Sequence, residues 1–152
     1  LAAVQAAIAR GHRRPDGLIL FSPWLDMTLS GRSMSENASS YAMLSVKILT
    51  RMRGLYLQGE DPTDRRASPL FDQCLELPPT MLVYSTAEIL TADAARFAAK
   101  LRNTGTPLTE LAAPGKPHVY PLFRMVPGAA AALRTVADFV AKHGAPAPRK
   151  AA

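Results

Sequence analysis

Short apolar runs that do not alternate with polar residues most narrow the folds open to this chain. Leu18-Ile19-Leu20-Phe21 lies between Pro15-Asp16-Gly17 and Ser22-Pro23, and Thr80-Met81-Leu82-Val83-Tyr84 follows Pro78-Pro79. A strand that is apolar along its length must bury both faces, which happens in a parallel sheet covered by helices on both sides. A third strand is expected at Leu108 to Ala112.

The stretches between these strands carry helical periodicity. Leu1, Val4 and Ile8 share a stripe over residues 1–10, which stops at Gly11. Ser45 is placed to cap a helix with Ile48, Met52, Leu55 and Tyr56 on one face, ending near Gly59. Ala94, Phe97, Ala98 and Leu101 recur at i, i+3, i+4 and i+7 over residues 92–103. The pattern over 128–143 predicts a last helix facing inward with Leu133, Val136, Ala137 and Val140, ended by Gly144. Residues 25–44 are rich in Ser, Asn and Gly and read as loop with a short turn. The resulting order, α-β-α-β-α-β-α, implies a three-layer α/β domain over residues 1–144, its parallel sheet wound by right-handed crossovers. The Ala/Pro/Lys stretch 145–152 reads as a disordered tail.

Composition removes several function classes. A chain of 152 residues with 48% hydrophobic and 20% charged content is that of one globular domain with a real core. No apolar run approaches the roughly 18 residues that a membrane span needs, and no charged segment precedes an apolar stretch as in a signal peptide. Cys74 is the only cysteine, which excludes an internal disulfide and a thiolate metal cluster and fits a cytoplasmic location. His12, His118 and His143 share no ligand spacing, so no metal site is expected. The net charge of +6 raises the question of nucleic acid. However, Arg10, Arg13, Arg14, Arg51, Arg53, Arg65, Arg66, Arg149 and Lys150 are scattered and do not alternate with aromatics, so a solvated surface is expected instead.

Loops that follow the strands of a parallel sheet gather on one edge, where ligands bind. Glu88 follows the second strand, and His118 lies in the loop Pro114-Gly115-Lys116-Pro117-His118-Val119-Tyr120 after the third. A carboxylate beside an imidazole holds the ring in one tautomer and stabilises the imidazolium formed when it takes a proton. The plainer alternatives are a helix N-terminal Glu88 favoured by the dipole and a surface His118. Asp93 is the rival acid, expected as an exposed first-turn carboxylate. His12 and His143 are expected at the surface.

Further segments carry a resemblance: Leu20-Phe21-Ser22-Pro23-Trp24-Leu25-Asp26, Leu55-Tyr56-Leu57 through Asp61-Pro62, Ala67-Ser68-Pro69-Leu70-Phe71, Leu77-Pro78-Pro79-Thr80, Ala87-Glu88-Ile89-Leu90 and Pro117-His118-Val119. In this order and spacing, the chain from Leu1 to about His143 resembles the C-terminal half of an α/β-hydrolase of the hormone-sensitive-lipase-like esterase family. The resemblance implies a truncated α/β-hydrolase fold with about three of the family's roughly eight strands. It also implies a carboxylic-ester hydrolase acting on small esters of short to medium acyl length through a Ser-His-Glu triad. Glu88 matches the family's acid and His118 its base. No metal or organic cofactor is implied, and the helix at 45–57 would help wall the substrate pocket. The chain departs from the family at Ser85, where Gly is usual, at Arg65 and Arg66, and at Pro121.

The family's nucleophile sits in a Gly-x-Ser-x-Gly elbow. No two glycines here stand four apart around a serine, and no His-Gly-Gly oxyanion segment occurs. With Leu1 lying inside a helix, the chain reads as having lost the segment before it. The resemblance therefore implies a chain that is inactive alone, either a silent fragment or pseudo-enzyme or one that complements an N-terminal half. The nucleophile strand of that half would pair with Leu18–Phe21.

Overall fold

The computed structural model describes residues 1–39, 43–73 and 76–144. Cys74 and the tail 145–152 lie outside the described residues. Helix α1 (Ala2–Ala9) leads into β1 (Leu18–Phe21), followed by the one-turn helix α2 (Ser33–Glu36) and by α3 (Val46–Leu57). Strand β2 (Thr80–Ser85), helix α4 (Thr91–Asn103), strand β3 (Leu108–Ala113) and helix α5 (Ala129–His143) complete the order. The three strands form one parallel sheet, β1-β2-β3, with Leu20 opposite Leu82 and Leu82 opposite Glu110.

Central β2 is buried at all six positions, while β1 is half-buried throughout as an edge strand. Alternate residues serve opposite layers, as the pleat requires. Leu82 and Tyr84, with Leu20 and Leu108, pack under Ala94, Phe97, Ala98 and Leu101 of α4 and under Leu1 and the Val4 and Ile8 side chains of α1. Met81 and Val83, with Ile19, Phe21 and Leu111, pack against Ala132, Val136 and Phe139 of α5. The α4 stripe is the one its periodicity predicts. Helix α1 is further tied down by Gln5, whose buried amide donates to the Pro69 carbonyl at 3.1 Å.

Two helix faces differ from expectation. On α5 the buried residues are Ala129, Ala132 and Phe139, while Leu133 and Val140 are 40% and 51% exposed and Ala137 faces solvent. This helix carries apolar residues on adjacent stripes, and periodicity alone does not choose between them. The stripe of small alanines lets the backbone approach the sheet closely, and Phe139 fills the space beyond. His143, expected at the surface, is half-buried and packs against Phe139 with the rings tilted 47° and their centroids 4.6 Å apart; His12 is exposed as expected.

Helix α3 begins where its cap predicts, the Ile48 N–H donating to Ser45 Oγ at 3.2 Å. It buries Leu49 and Leu57, and the expected apolar face of Ile48, Met52, Leu55 and Tyr56 remains largely exposed.

Candidate active site at the sheet edge

The site grows from the ends of the three strands. After β2 the chain turns through Thr86 and Ala87 into Glu88, and Ile89 and Leu90 lead directly into α4. That turn is anchored from below. Ile89 and Leu90 pack with Met34 of α2 and Leu49 of α3. Ser33 Oγ donates to the Ile89 carbonyl at 2.6 Å and accepts the Ala92 N–H at 2.9 Å, capping the start of α4 from a distant segment. Asn37 Nδ2 donates to the carbonyls of Thr86 and Glu88. The backbone carrying Glu88 is therefore held on both sides.

Glu88 is 3% exposed, and its carboxylate faces three donors. Its Oε1 accepts the Ser22 hydroxyl at 2.7 Å and the Ser85 N–H at 3.0 Å. Its Oε2 lies 2.6 Å from Nδ1 of His118, which comes from the loop after β3. With the proton on Nδ1, the ring donates to Glu88 and leaves the Nε2 lone pair free to take a proton. The sequence placed both residues on one edge, and the structure brings them into contact.

The histidine loop is pinned as well. Ser85 Oγ accepts the N–H groups of Ala87 and Lys116, so the departure from Gly at this position ties the acid turn to the histidine loop. Val119 follows His118 in the left-handed region at φ 48°, and its N–H donates to Ser22 Oγ at 3.1 Å. Sequence reasoning missed Ser22 as part of this arrangement. A serine next to Pro23 reads as a turn residue, and no local pattern shows that its hydroxyl reaches two other loops.

Asp93, the rival acid, is not the exposed first-turn carboxylate that its position predicts. It is fully buried, and its Oδ2 accepts the N–H groups of Leu25 and Asp26 at 2.8 and 2.9 Å. Its Oδ1 is buried with no hydrogen-bond partner among the described residues. Burial pushes this carboxyl up to about 6, against the lowering effect of the two backbone donors. The first-turn position suggested an exposed helix end, but the loop after β1 folds over it. Gly31 permits that approach, since a Cβ there would sit 2.9 Å from that of Ala92.

Neighbouring Asp26 is likewise fully buried. Burial alone would raise its carboxyl, but hydrogen bonds from Ser30, Thr28 and Arg96 outweigh that and hold it below its ordinary value. Arg96 contacts it at 2.7 Å. Both aspartates brace the loop between β1 and α2, and neither contacts His118.

A cleft of about 490 Å³ runs along the free edge of β1, lined by Ile19, Phe21, Trp24, Met27 and Tyr56 among others. Among the described residues there is no cluster of three or more metal-ligating side chains, and no helix is long and apolar enough to cross a membrane.

Comparison with known proteins agrees with this architecture. The model of the alpha/beta hydrolase fold family matches residues 1–122. An esterase of Acinetobacter venetianus is 44% identical over 87 residues, covering 57% of this chain. The crystal structure of EstE5 soaked with ethyl alcohol superposes with a TM-score of 0.91 at 29% identity over 96% of this chain. An esterase from the bacterial hormone-sensitive lipase family gives 0.89 at 27% identity over 93%. The chain spans 29% of the length of that curated esterase and 50% and 48% of the two solved chains. The parallel sheet, the matched segments and these superpositions agree: the chain belongs to the α/β-hydrolase fold family, on its hormone-sensitive-lipase-like esterase branch.

Proposed function

We propose that His118 and Glu88 are the general base and the orienting acid of a Ser-His-Glu triad that hydrolyses small carboxylic esters. The observation that carries this reading is the 2.6 Å contact between His118 Nδ1 and Glu88 Oε2 at the edge of the sheet where the strands end. The second carboxylate oxygen is held by two further donors, so the acid has little freedom to turn away.

The nucleophilic serine comes from a segment outside these 152 residues, one that carries the Gly-x-Ser-x-Gly elbow. Its strand adds to the half-buried edge of β1, beside the cleft lined by Ile19 and Phe21. In acylation, His118 Nε2 takes the serine proton as the hydroxyl attacks the ester carbonyl, and then gives it to the leaving alcohol. Deacylation repeats the cycle with water as the nucleophile. Glu88 keeps the proton on Nδ1 and stabilises the imidazolium formed in each half.

By itself the chain is expected to be silent toward esters. The test measures fluorophosphonate labelling and p-nitrophenyl butyrate turnover by this chain alone and after addition of the family's elbow-bearing N-terminal half. Activity only in the combination supports the reading. Labelling of the isolated chain, or turnover unaffected by both His118→Ala and Glu88→Gln, would overturn it.

A further inference from the structure

We infer that Ser22 is the positioning residue of the Glu88–His118 pair, a clamp supplied by a third strand. This role rests on the reading of that pair as a catalytic acid and base. Ser22 follows β1, and its N–H donates to the Val83 carbonyl at 2.8 Å, continuing the ladder to β2. Its φ is +42°, in the left-handed region that favours glycine. That conformation turns the chain so that the hydroxyl lies across the end of β2.

The side chain is 4% exposed, and its oxygen is used in both directions. The O–H donates to Glu88 Oε1 at 2.7 Å, and the oxygen accepts the Val119 N–H at 3.1 Å. One hydroxyl therefore joins the acid to the residue just after the base. A buried carboxylate that loses one of its donors is free to seek another, and Glu88 Oε2 would then leave Nδ1. Loss of the Val119 contact frees the backbone next to the ring at the same time. Glycine would fit the backbone at this position without strain but could not make either contact, so the hydroxyl is the part of Ser22 that acts.

Two variants separate the hydroxyl from the fold. Ser22→Ala removes it and keeps the strained backbone, whereas Ser22→Gly removes it and relieves the strain, and the amide spectrum of each variant reports whether its fold is intact. The main readout needs no turnover: the low-field proton NMR signal of the His118 Nδ1–H in the chain labelled with ¹⁵N-histidine, with Glu88→Gln as the reference for its loss. The expected result is that both Ser22 variants broaden or abolish the signal while the remaining amide spectrum stays native.

In the elbow-complemented enzyme the same variants are expected to lower kcat about 10- to 100-fold with KM nearly unchanged, as misplaced catalytic groups do. If both variants keep a wild-type signal that Glu88→Gln removes, the clamp is wrong and the pair stands. If the wild type shows no such signal, the pair itself fails and the clamp falls with it.

Discussion

Glu88 and Asp93 stand close together in the chain, on either side of the start of α4, and both are shut off from solvent, at 3% and 0% exposure. Glu88 spends one oxygen on an imidazole and the other on a hydroxyl and an N–H. Asp93 gives one oxygen to two backbone N–H groups and leaves the other without a partner among the described residues. In the proposed reading the first orients the His118 ring, whereas the second holds the loop after β1 against the start of α4. Burial of a carboxylate therefore says little about its job; the identity of its donors decides it.

The comparison breaks most sharply at Glu88. In the elbow-complemented enzyme, Glu88→Gln is expected to cut kcat by about 10⁴-fold, because an amide nitrogen facing Nδ1 forces the wrong tautomer. Stability should change by less than about 2 kcal/mol, since the remaining donors can pair with the amide oxygen. Steady-state kinetics and a denaturant melt on the same preparation check both.

Asp93→Ala should do the reverse. Leaving two buried N–H groups without an acceptor costs about 2–4 kcal/mol, read as a lower denaturation midpoint, with His118 chemistry unchanged per folded molecule.

Asp93→Asn sharpens the contrast through pH. The folded carboxyl lies at about 6 against an ordinary 3.8, so the folded state holds this proton more tightly than the unfolded chain. Its stabilising contribution is complete below about pH 4 and is lost as pH rises through about 6, a span worth about 3 kcal/mol. Asparagine cannot titrate. The stability difference between wild type and variant should therefore shift by about that amount between pH 4 and 7, toward the variant at the higher pH.

The smallest effect is expected at the cap of α3, which hydrogen-bonds to neither carboxylate. Ser45→Ala removes the α3 cap at the Ile48 N–H and should cost about 1 kcal/mol, read as a lower denaturation midpoint, while leaving the hydrogen bonds of Glu88 and Asp93 in place.

Much of this was legible in the sequence because it depends on local patterns. The apolar runs 18–21 and 80–84 matched the positions of β1 and β2, but only β2 is buried on both faces as a run of this kind implies; β1 lies at the sheet edge and is half-buried along its length. The Ala94/Phe97/Ala98/Leu101 stripe matched the buried face of α4. Where several stripes are apolar, as on α5, the pattern is degenerate, and the sheet's shape selected the one with alanines. On α3 the apolar face is largely exposed, so periodicity identified a helix without identifying what covers it.

By itself the sequence determined the alternation of strands and helices, and with it the parallel sheet and the shared edge on which Glu88 and His118 fall. These follow from chain direction and hydrophobic period, which are properties of neighbours in the chain. Only the tertiary structure decided that Ser22 reaches both of their loops and that Asp93 is sealed under the loop after β1. Those contacts join residues 66 and 68 positions apart, and one across 97. No local pattern encodes them, because the donors and acceptors meet only after the layers have packed.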